Sequence, residues 1–368
     1  MNPTSSRAAV LHEAPGDLIV QDVLVDAPAP HEVLITTKAT GLCHSDLHIM
    51  RGDRPAKLPV VLGHEAAGIV ETVGERVTSV QPADRVVVFP VGACGRCDRC
   101  LSGRPTLCTS ARLHRTESAP PRLRLADGGE CGQFGGLATF AEKMLVHEDA
   151  VAKVGDNIPF ASAALLGCAV STGLGAVMRR ARVQPGETVA VVGCGGVGLN
   201  CVQGAAIVGA RRVIAIDTNA GKLNYATTFG ATDLVDASRV DPVMAVTEIL
   251  ADHGGVDHAF EAVGTPETYQ LAFKLLRRGG TATLVGVVSP GDVVTLSAND
   301  FLGEKQIQGT LLGSIRFRED IPYFADLYAD GRLKLDELVS SRIGLDEINE
   351  GYAQITDGGI ARSVVVFE

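Results

Sequence analysis

The chain has 368 residues, of which 46% are hydrophobic and 21% are charged, and its formal net charge is −10. This length suffices for two domains with separate cores, and the composition is that of a folded globular protein rather than a disordered one. The negative charge disfavours nucleic acid and anionic membranes as partners. The N-terminal residues contain no apolar core segment, so we expect no signal peptide and a cytoplasmic location.

Two uncharged runs, residues 158–178 and 188–210, are long enough to cross a bilayer. Both are interrupted by Gly, Ser or Thr, and the first contains Pro159, whereas membrane spans are richer in Leu, Ile and Phe. We therefore expect no membrane span. We interpret both runs as strands and helices of small residues that are buried between layers of the fold.

Residues 1–150 are predicted to be rich in β-strands. Segments 32–40, 66–74 and 84–92 contain many β-branched residues, and Gly and Pro separate them.

From about residue 170 the pattern changes to short apolar strands alternating with helical segments, which predicts a parallel sheet covered on both faces. The predicted strands are 187–193, 211–217, 233–236, 256–264 and 280–288. After this region we expect helix over residues 321–355 and one final strand at 361–368.

Residues 111–136 show no clear period and are predicted to form a long surface loop. This segment contains four arginines, Arg112, Arg115, Arg122 and Arg124, in an otherwise acidic protein. We interpret them as a solvated face in preference to a site that grips phosphate or substrate.

A glycine-rich segment at 193–198 has the spacing of a dinucleotide-binding loop. Gly193, Gly195 and Gly198 follow a predicted strand and open a predicted helix, the context in which this spacing binds a pyrophosphate. An acid is expected about twenty residues later, at the end of the second strand, and Asp217 stands there. A carboxylate at that point accepts hydrogen bonds from ribose hydroxyls and repels a 2′-phosphate, which favours NAD over NADP.

Four of the nine cysteines lie within residues 94–108, at Cys94, Cys97, Cys100 and Cys108. In a chain without an export signal, we expect clustered cysteines to be metal ligands rather than disulfide partners. Four thiolates close a tetrahedral zinc site and leave no position for substrate, so we predict a structural metal. A zinc finger for nucleic acid is the alternative, but the net charge, the short loop and the absence of a following recognition helix oppose it.

A second and weaker signal comes from Cys43 and His64, which are residue types that bind zinc. Taken alone, each is more often an ordinary core residue. Asp46 and Glu65 lie beside them in the sequence and could orient an imidazole or modulate a metal. Cys168 is the candidate third ligand, and three protein ligands would leave the fourth position open for water or substrate.

The segments "GLCHSDLH", "GHEAAGIVETVG", "CGRCDRCLSGRPTLC", "GCAVSTGLGA" and "VGCGGVGL" occur in this order along the chain. Together they resemble the zinc-dependent medium-chain alcohol dehydrogenases over essentially the whole length. The resemblance implies an α/β protein with a GroES-like β-rich catalytic domain and a Rossmann domain with a doubly wound parallel sheet. The catalytic domain would comprise 1–169 and 313–368, including a structural zinc lobe at 92–110, and the NAD-binding domain would comprise 170–312.

The resemblance also implies roles for individual residues. Two zinc ions per chain are expected, a catalytic one on Cys43, His64 and Cys168, with Asp46 and Glu65 beside it, and a structural one on Cys94, Cys97, Cys100 and Cys108. Ser45 would take the alcohol proton, and His48 would pass it to solvent through the cofactor ribose. The residues implied to bind NAD are His44, Thr172, Gly193, Gly195, Gly196, Val197, Gly198, Asp217, Lys222 and Arg362.

The implied activity is NAD-dependent interconversion of a small-molecule alcohol and its aldehyde or ketone. The long segment between Cys108 and Cys168 is similar to that of the dimeric class I and class III branch, which implies a homodimer. Formaldehyde dehydrogenases that depend on glutathione or mycothiol share this architecture and are the alternative enzymatic reading. A non-enzymatic binding protein with a dead site is a further alternative, which the intact ligand set opposes.

Overall fold

The computed structural model describes residues 3–116, 118–251, 253–356 and 362–368. It separates into two units, which we call the first unit (Met1–Cys168 with Arg316–Glu368) and the second unit (Ala169–Ile315).

The elements are numbered in chain order. The strands are β1 (Thr4–Leu11), β2 (Leu18–Val25), β3 (Glu32–Gly41), β4 (Val60–Val61), β5 (Ala66–Val73), β6 (Arg85–Val88), β7 (Leu123–Leu125), β8 (Gly132–Gln133), β9 (Lys143–His147), β10 (Val151–Lys153), β11 (Thr188–Val192), β12 (Arg212–Asp217), β13 (Asp233–Asp236), β14 (Val256–Glu261), β15 (Leu276–Leu284), β16 (Gln306–Gly309), β17 (Val339–Ile343) and β18 (Arg362–Val366). The helices are α1 (His44–Met50), α2 (Asp98–Leu101), α3 (Phe160–Leu165), α4 (Ser171–Gly175), α5 (Gly196–Ile207), α6 (Ala220–Ala226), α7 (Pro242–Ile249), α8 (Pro266–Lys274), α9 (Phe317–Ala329) and α10 (Ile348–Thr356).

Two sheets form the first unit. One has the order β7-β2-β1-β4-β8, and the other has the order β10-β6-β5-β3-β18-β17, with β9 also paired to β3. Strand β3 is buried along almost its whole length because it contacts β5, β9 and β18, and its β-branched residues suit that position. The β-rich character predicted for residues 1–150 is therefore present.

A six-stranded parallel sheet forms the second unit, with the order β13-β12-β11-β14-β15-β16. Every residue of β11 is buried, as expected for the central strand of a parallel sheet that is covered on both faces. The strand order reverses between β11 and β14, and in such sheets ligands bind beyond the carboxyl ends of the strands at this point. The predicted doubly wound sheet is confirmed.

The run at 158–178 forms part of a helical segment, Phe160–Ala181, in which α3 and α4 are joined and extended by wider turns. By length and composition alone this helix could cross a membrane, but 94% of its most apolar window is buried inside the protein. The run at 188–210 contains β11 and α5. Burial of small residues between layers, as predicted, accounts for both runs.

The tail differs from the prediction of helix followed by one strand. Residues Val339–Ile343 form β17, which pairs in parallel with the final strand β18. The segment "VSSRI" is short and lies at a sheet edge, and its residues alternate between half-buried and exposed. It therefore carries little apolar signal.

The interpretation of the arginines in 111–136 as a solvated face is wrong for Arg115 and Arg122. The Arg115 guanidinium donates to Glu32 (Nε–Oε1, 3.0 Å) and to Asp26, and Arg122 donates to Glu32 (Nε–Oε1, 2.7 Å). Although burial raises the pKa of Glu32, the Arg115 hydrogen bond and the Arg122 charge hold it below its usual range. Buried ion pairs thus hold this loop where apolar periodicity is absent; the Arg112 side chain lies outside the described part of the chain.

Candidate active site

Three ligand types that are distant in sequence meet inside the first unit. Cys43 immediately precedes α1, His64 follows β4, and Cys168 lies in the wide turn after α3. Their ligand atoms all lie within 4.8 Å of one another, and all three side chains are buried. The structure therefore brings together the three residues predicted as ligands of a catalytic metal.

The donor set and its spacing fit zinc. The Sγ of Cys168 lies 3.3 Å from Nε2 of His64. A Zn–S bond of about 2.3 Å and a Zn–N bond of about 2.1 Å at a tetrahedral angle separate two such atoms by about 3.6 Å. Within the described residues, the cluster contains no fourth His, Cys or carboxylate ligand atom at this spacing. A metal held here keeps an open coordination position.

Asp46 orients the imidazole of His64. Its Oδ1 accepts the backbone N–H of Gly63 at 2.9 Å and lies 3.2 Å from Nδ1 of His64. This contact leaves Nε2 facing Cys168, and it raises the pKa of His64 well above its usual value even though burial opposes the shift. A carboxylate that binds the second nitrogen of a ligating histidine is a common device for fixing its tautomer.

Arg362 is buried beside the cluster within the first unit. Its Nη1 donates to the carbonyl of Leu42 at 2.8 Å and lies 3.6 Å from Oε1 of Glu65. The hydrogen bond from Cys168 and the charges of Arg362 and His64 hold the pKa of Cys43 well below its usual range, against the effect of burial. The thiolate that a zinc ligand requires is therefore favoured at Cys43.

Helix α1 carries the residues predicted for proton transfer. The hydroxyl of Ser45 lies 3.7 Å from Sγ of Cys43. Nδ1 of His48, in the last turn, lies 3.0 Å from Oδ2 of Asp53. His44 begins the helix and is exposed. One short helix thus presents all three side chains, and it starts at a metal-ligand residue.

The four-cysteine cluster is also assembled. The Sγ atoms of Cys94, Cys97, Cys100 and Cys108 lie within 4.8 Å of one another. Sγ of Cys97 and Sγ of Cys108 are 3.9 Å apart, close to the roughly 3.8 Å expected for two thiolates on one tetrahedral zinc. Backbone N–H groups, that of Arg96 first, lower the pKa of Cys94 to about 6. Helix α2 within this lobe has no buried residue, so a metal bound here would supply cohesion that packing does not.

In the second unit, the glycine-rich segment joins β11 to α5. Gly193 has φ +93°, which favours glycine, and a Cβ on Gly198 would lie 1.7 Å from the Gly193 carbonyl oxygen. A Cβ on Gly195 would meet no described atom within 4 Å. Gly193 and Gly198 are therefore required by the geometry of the turn. Gly195, followed by Gly196 and Val197, leaves room for a ligand at the N-terminus of α5.

Asp217 ends β12, as predicted, and contacts the same segment. Its Oδ2 accepts the N–H of Cys194 at 2.7 Å, and its Oδ1 accepts the N–H of Asn219 at 2.9 Å. Lys222 follows on α6 with a half-buried side chain. The hydroxyl of Thr172 is buried and has no hydrogen-bond partner among the described residues. The open space at Gly195 and the buried Thr172 hydroxyl without a hydrogen-bond partner among the described residues both fit a site that binds a polar cofactor.

Sequence reasoning missed two residues that contact the metal cluster. The ring of Phe134 stands edge-on to His64 with 5.4 Å between centroids, and it belongs to the stretch 111–136, which has no period. Tyr352 on α10 is buried, packs against Phe140, and receives a hydrogen bond from the backbone of Cys43. The sequence offers no signal for either contact beyond apolar character.

Comparison with known proteins agrees with this geometry. A family profile described as an alcohol dehydrogenase GroES-like domain matches residues 29–156, and one described as a zinc-binding dehydrogenase matches residues 196–330. The chain is 36% identical over 372 residues to an S-(hydroxymethyl)glutathione dehydrogenase of Saccharomyces cerevisiae, covering 99% of this chain and 96% of that protein. It is 39% identical over 367 residues to an NDMA-dependent alcohol dehydrogenase of Amycolatopsis methanolica, covering 98% of each.

Among solved structures, benzyl alcohol dehydrogenase from Acinetobacter calcoaceticus superposes with a TM-score of 0.92 at 32% identity, covering 99% of this chain and 100% of that chain. The chain belongs to the zinc-dependent medium-chain alcohol dehydrogenase family. It is a zinc-binding oxidoreductase with a GroES-like part and a Rossmann part. The predicted family, fold class and enzyme class are confirmed.

Proposed function

We propose that this enzyme interconverts an alcohol and its aldehyde or ketone, with NAD as the hydride acceptor or donor. The observation that carries the proposal is the buried cluster of Cys43, His64 and Cys168, which provides three protein ligands and an open fourth position. Zinc, when bound there, supplies a Lewis acid that lowers the pKa of an alcohol or polarises a carbonyl group. NAD, when bound, supplies the redox chemistry.

The residues of helix α1 handle the proton that leaves the alcohol. Ser45 stands next to Cys43 and is the hydroxyl that accepts this proton first. His48 holds the proton next and releases it to solvent, the general-base task that histidine performs most often in enzymes. Asp46 and Glu65 contribute negative charge beside the metal and keep His64 and Arg362 in place.

The second unit is proposed to bind NAD. Gly193, Gly195, Gly196, Val197 and Gly198 would receive the pyrophosphate, with its charge favoured at the N-terminus of α5. Asp217 and Lys222 would contact the adenosine ribose, and Thr172 would face the nicotinamide. His44 and Arg362 are proposed as further cofactor-binding residues on the basis of the family resemblance.

We further propose that the two units act as the catalytic and NAD-binding domains, divided as 1–169 with 313–368 and 170–312, and that each chain holds two zinc ions. The enzyme is proposed to be a cytoplasmic homodimer. The sheet edge at β16 and exposed apolar side chains, Val293 at 77% and Leu302 at 84%, support an association through the second unit. Light scattering that gives the mass of one chain would contradict the dimer.

A thiol-dependent formaldehyde dehydrogenase is the second candidate. The observation in its favour is the 36% identity to an S-(hydroxymethyl)glutathione dehydrogenase. Against it, two of the four arginines in 111–136, Arg115 and Arg122, are engaged by Glu32 and do not offer a free cation to the carboxylates of a thiol adduct. We therefore place the alcohol first.

The test is a substrate panel. NADH formation is followed with primary, secondary, allylic and aromatic alcohols, and with formaldehyde in the presence and absence of glutathione or mycothiol. The proposal expects turnover with at least one free alcohol and NAD. Absence of turnover with every alcohol contradicts it, turnover only with the thiol adduct favours the second candidate, and a strong preference for NADP contradicts the role of Asp217.

A further inference from the structure

His48 makes a hydrogen bond that no sequence motif assigns. Its Nδ1 lies 3.0 Å from Oδ2 of Asp53. Both side chains are partly exposed, the imidazole by 35% and the carboxylate by 43%, so solvent can reach the pair. Asp53 is five residues beyond His48 and cannot be its neighbour on a continuous helix, where residues three and four apart are adjacent.

The end of helix α1 is what brings Asp53 back to His48. Gly52 has φ +78°, a left-handed conformation that ends the helix at little cost because glycine has no Cβ. The N–H of Arg54 then returns to the carbonyl of His48 at 3.2 Å. The N–H of Gly16 also donates to the carbonyl of Met50 at 2.9 Å, which ties the last turn to the loop between β1 and β2. The backbone on both sides of Asp53 is therefore fixed.

We propose that Asp53 is a positioning residue that sets the tautomer of His48, so that Nε2 is bare and ready to take the proton leaving the alcohol. A neutral imidazole has one N–H, and a carboxylate next to Nδ1 accepts a hydrogen bond only if that N–H is on Nδ1. The lone pair is then on Nε2. The inference rests on the proton-handling role proposed for His48.

The proton balance is simple. The alcohol proton passes to the oxygen of Ser45 as the hydroxyl proton of Ser45 leaves towards Nε2 of His48. The imidazole becomes a cation whose Nδ1–H faces the carboxylate of Asp53, and Nε2 then returns the proton to water. No proton passes to Asp53, which only accepts the hydrogen bond from Nδ1, as the carboxylate does that orients a catalytic histidine in hydrolytic triads.

A partly exposed pair can do this even though it adds little to stability. Exposed ion pairs contribute about 0–1 kcal/mol to folding. Imidazole in water, however, favours the Nε2–H tautomer only modestly, so one hydrogen bond on Nδ1 suffices to reverse the preference. The role of Asp53 should therefore appear in the tautomer and in turnover rather than in the melting temperature.

The direct test is nitrogen NMR of the full-length, zinc-loaded enzyme with ¹⁵N-labelled histidine, without cofactor, at about pH 8, where an ordinary histidine is neutral. The His48 signals are assigned by their loss in His48→Gln. We expect a protonated Nδ1 and a bare Nε2 in the parent enzyme, and a shift towards Nε2–H in Asp53→Ala. A protonated Nε2 in the parent, or no change in Asp53→Ala, would overturn the inference.

A double-mutant cycle tests the consequence for turnover. Asp53→Asn and Asp53→Ala should each lower kcat/KM for the alcohol by about tenfold, and neither should lower it further in a His48→Gln background. An equal loss in both backgrounds, or no loss in either, contradicts the role. Glu130→Gln, which removes a carboxylate from an exposed pair with Lys57 (2.7 Å), is the matched control and should change neither readout.

The two experiments separate the inference from the proposed function. If the parent enzyme oxidises no alcohol, the proposed function fails, and the NMR experiment still decides whether Asp53 sets the tautomer.

Discussion

Asp46 contacts both the backbone N–H of Gly63, next to His64, and the imidazole of His64, and this double contact fixes the orientation of the ligand. Its Oδ1 serves both the Gly63 N–H at 2.9 Å and the His64 Nδ1 at 3.2 Å. Asp46→Asn keeps the size of the side chain but removes the charge, and its amide group is a poorer acceptor for the imidazole N–H.

We expect Asp46→Asn to weaken zinc binding at the three-ligand site by about 10–100-fold, the range found when partners of ligating histidines are replaced. Competition with a chromogenic chelator measures the loss. Asp98→Asn, on the outside of the four-cysteine lobe, is the control and should leave this affinity unchanged. Parent-like zinc affinity in Asp46→Asn would contradict the role given to this carboxylate.

At this scale the sequence predicted the metal ligands and the carboxylates beside them, Asp46 and Glu65, but not the other contacts around the site. Cys43, His64 and Cys168 are individually unremarkable, and only the ordered motifs around them identify the set. The contact between His48 and Asp53 depends on the left-handed Gly52, and the position of Phe134 depends on a loop held by buried ion pairs. Neither a turn geometry nor a long-range ion pair leaves a periodic pattern, so neither could be predicted.

In the glycine-rich segment between β11 and α5, Gly198 is needed for the geometry of the turn, whereas Gly195 is needed only to leave space for a ligand. A Cβ on Gly198 would lie 1.7 Å from the Gly193 carbonyl oxygen, whereas a Cβ on Gly195 would meet nothing within 4 Å. Gly195 also has φ −78°, which alanine adopts without strain.

Gly195→Ala should therefore keep the melting temperature of the parent and raise the Kd for NAD about tenfold or more, because its methyl group occupies the space left for the pyrophosphate. Gly198→Ala should instead lower the melting temperature, because the turn must open. Thermal unfolding and fluorescence titration with NADH distinguish the two. Unchanged NAD affinity in Gly195→Ala would contradict the placement of the cofactor.

Asp257 joins three strands of the parallel sheet and supplies a pH-dependent part of its stability. It lies in β14 and accepts hydrogen bonds from the backbone and hydroxyl of Thr188 in β11 (2.8 and 2.7 Å) and from Arg277 in β15 (2.6 Å). Although burial raises it, these contacts lower the pKa of Asp257 from 3.8 to about 2.

Because the folded-state pKa is depressed, this stabilisation is fully present above the unfolded value and is lost as the pH falls through about 2. A depression of this size corresponds to about 2 kcal/mol at neutral pH. Asp257→Asn should lower the free energy of unfolding by about that amount at about pH 6, and by much less at about pH 2. Urea unfolding at both values provides the measurement, and an equal difference at both would contradict the argument.

Elements with strong apolar patterns were predicted well, and weakly patterned ones were not. The strands β11 and β12 consist mostly of buried apolar residues and were recognised from that feature. Strand β17 was missed because "VSSRI" is polar at its three central positions and lies at a sheet edge. Its existence depends on pairing with β18, which is a tertiary contact and not a property of the segment.

At the scale of the whole molecule, the proposed chemistry is divided between two units. The ligands of both metal clusters belong to the first unit, and the glycine-rich segment and Asp217 belong to the second. The two clusters differ in what they can do: four cysteines close one site, and three ligands leave the other open. The central claim is that the open site is the working one.

Zinc content and turnover measured together on Cys168→Ala test this claim most directly, with Cys97→Ala as the matched control. We expect about two zinc ions per chain in the parent. Cys168→Ala should hold about one zinc, retain NAD binding and lose all alcohol-dependent NADH formation, whereas Cys97→Ala should lose stability first and keep turnover in the fraction that remains folded. Full turnover by Cys168→Ala with one zinc bound would show that the chemistry does not depend on the three-ligand site.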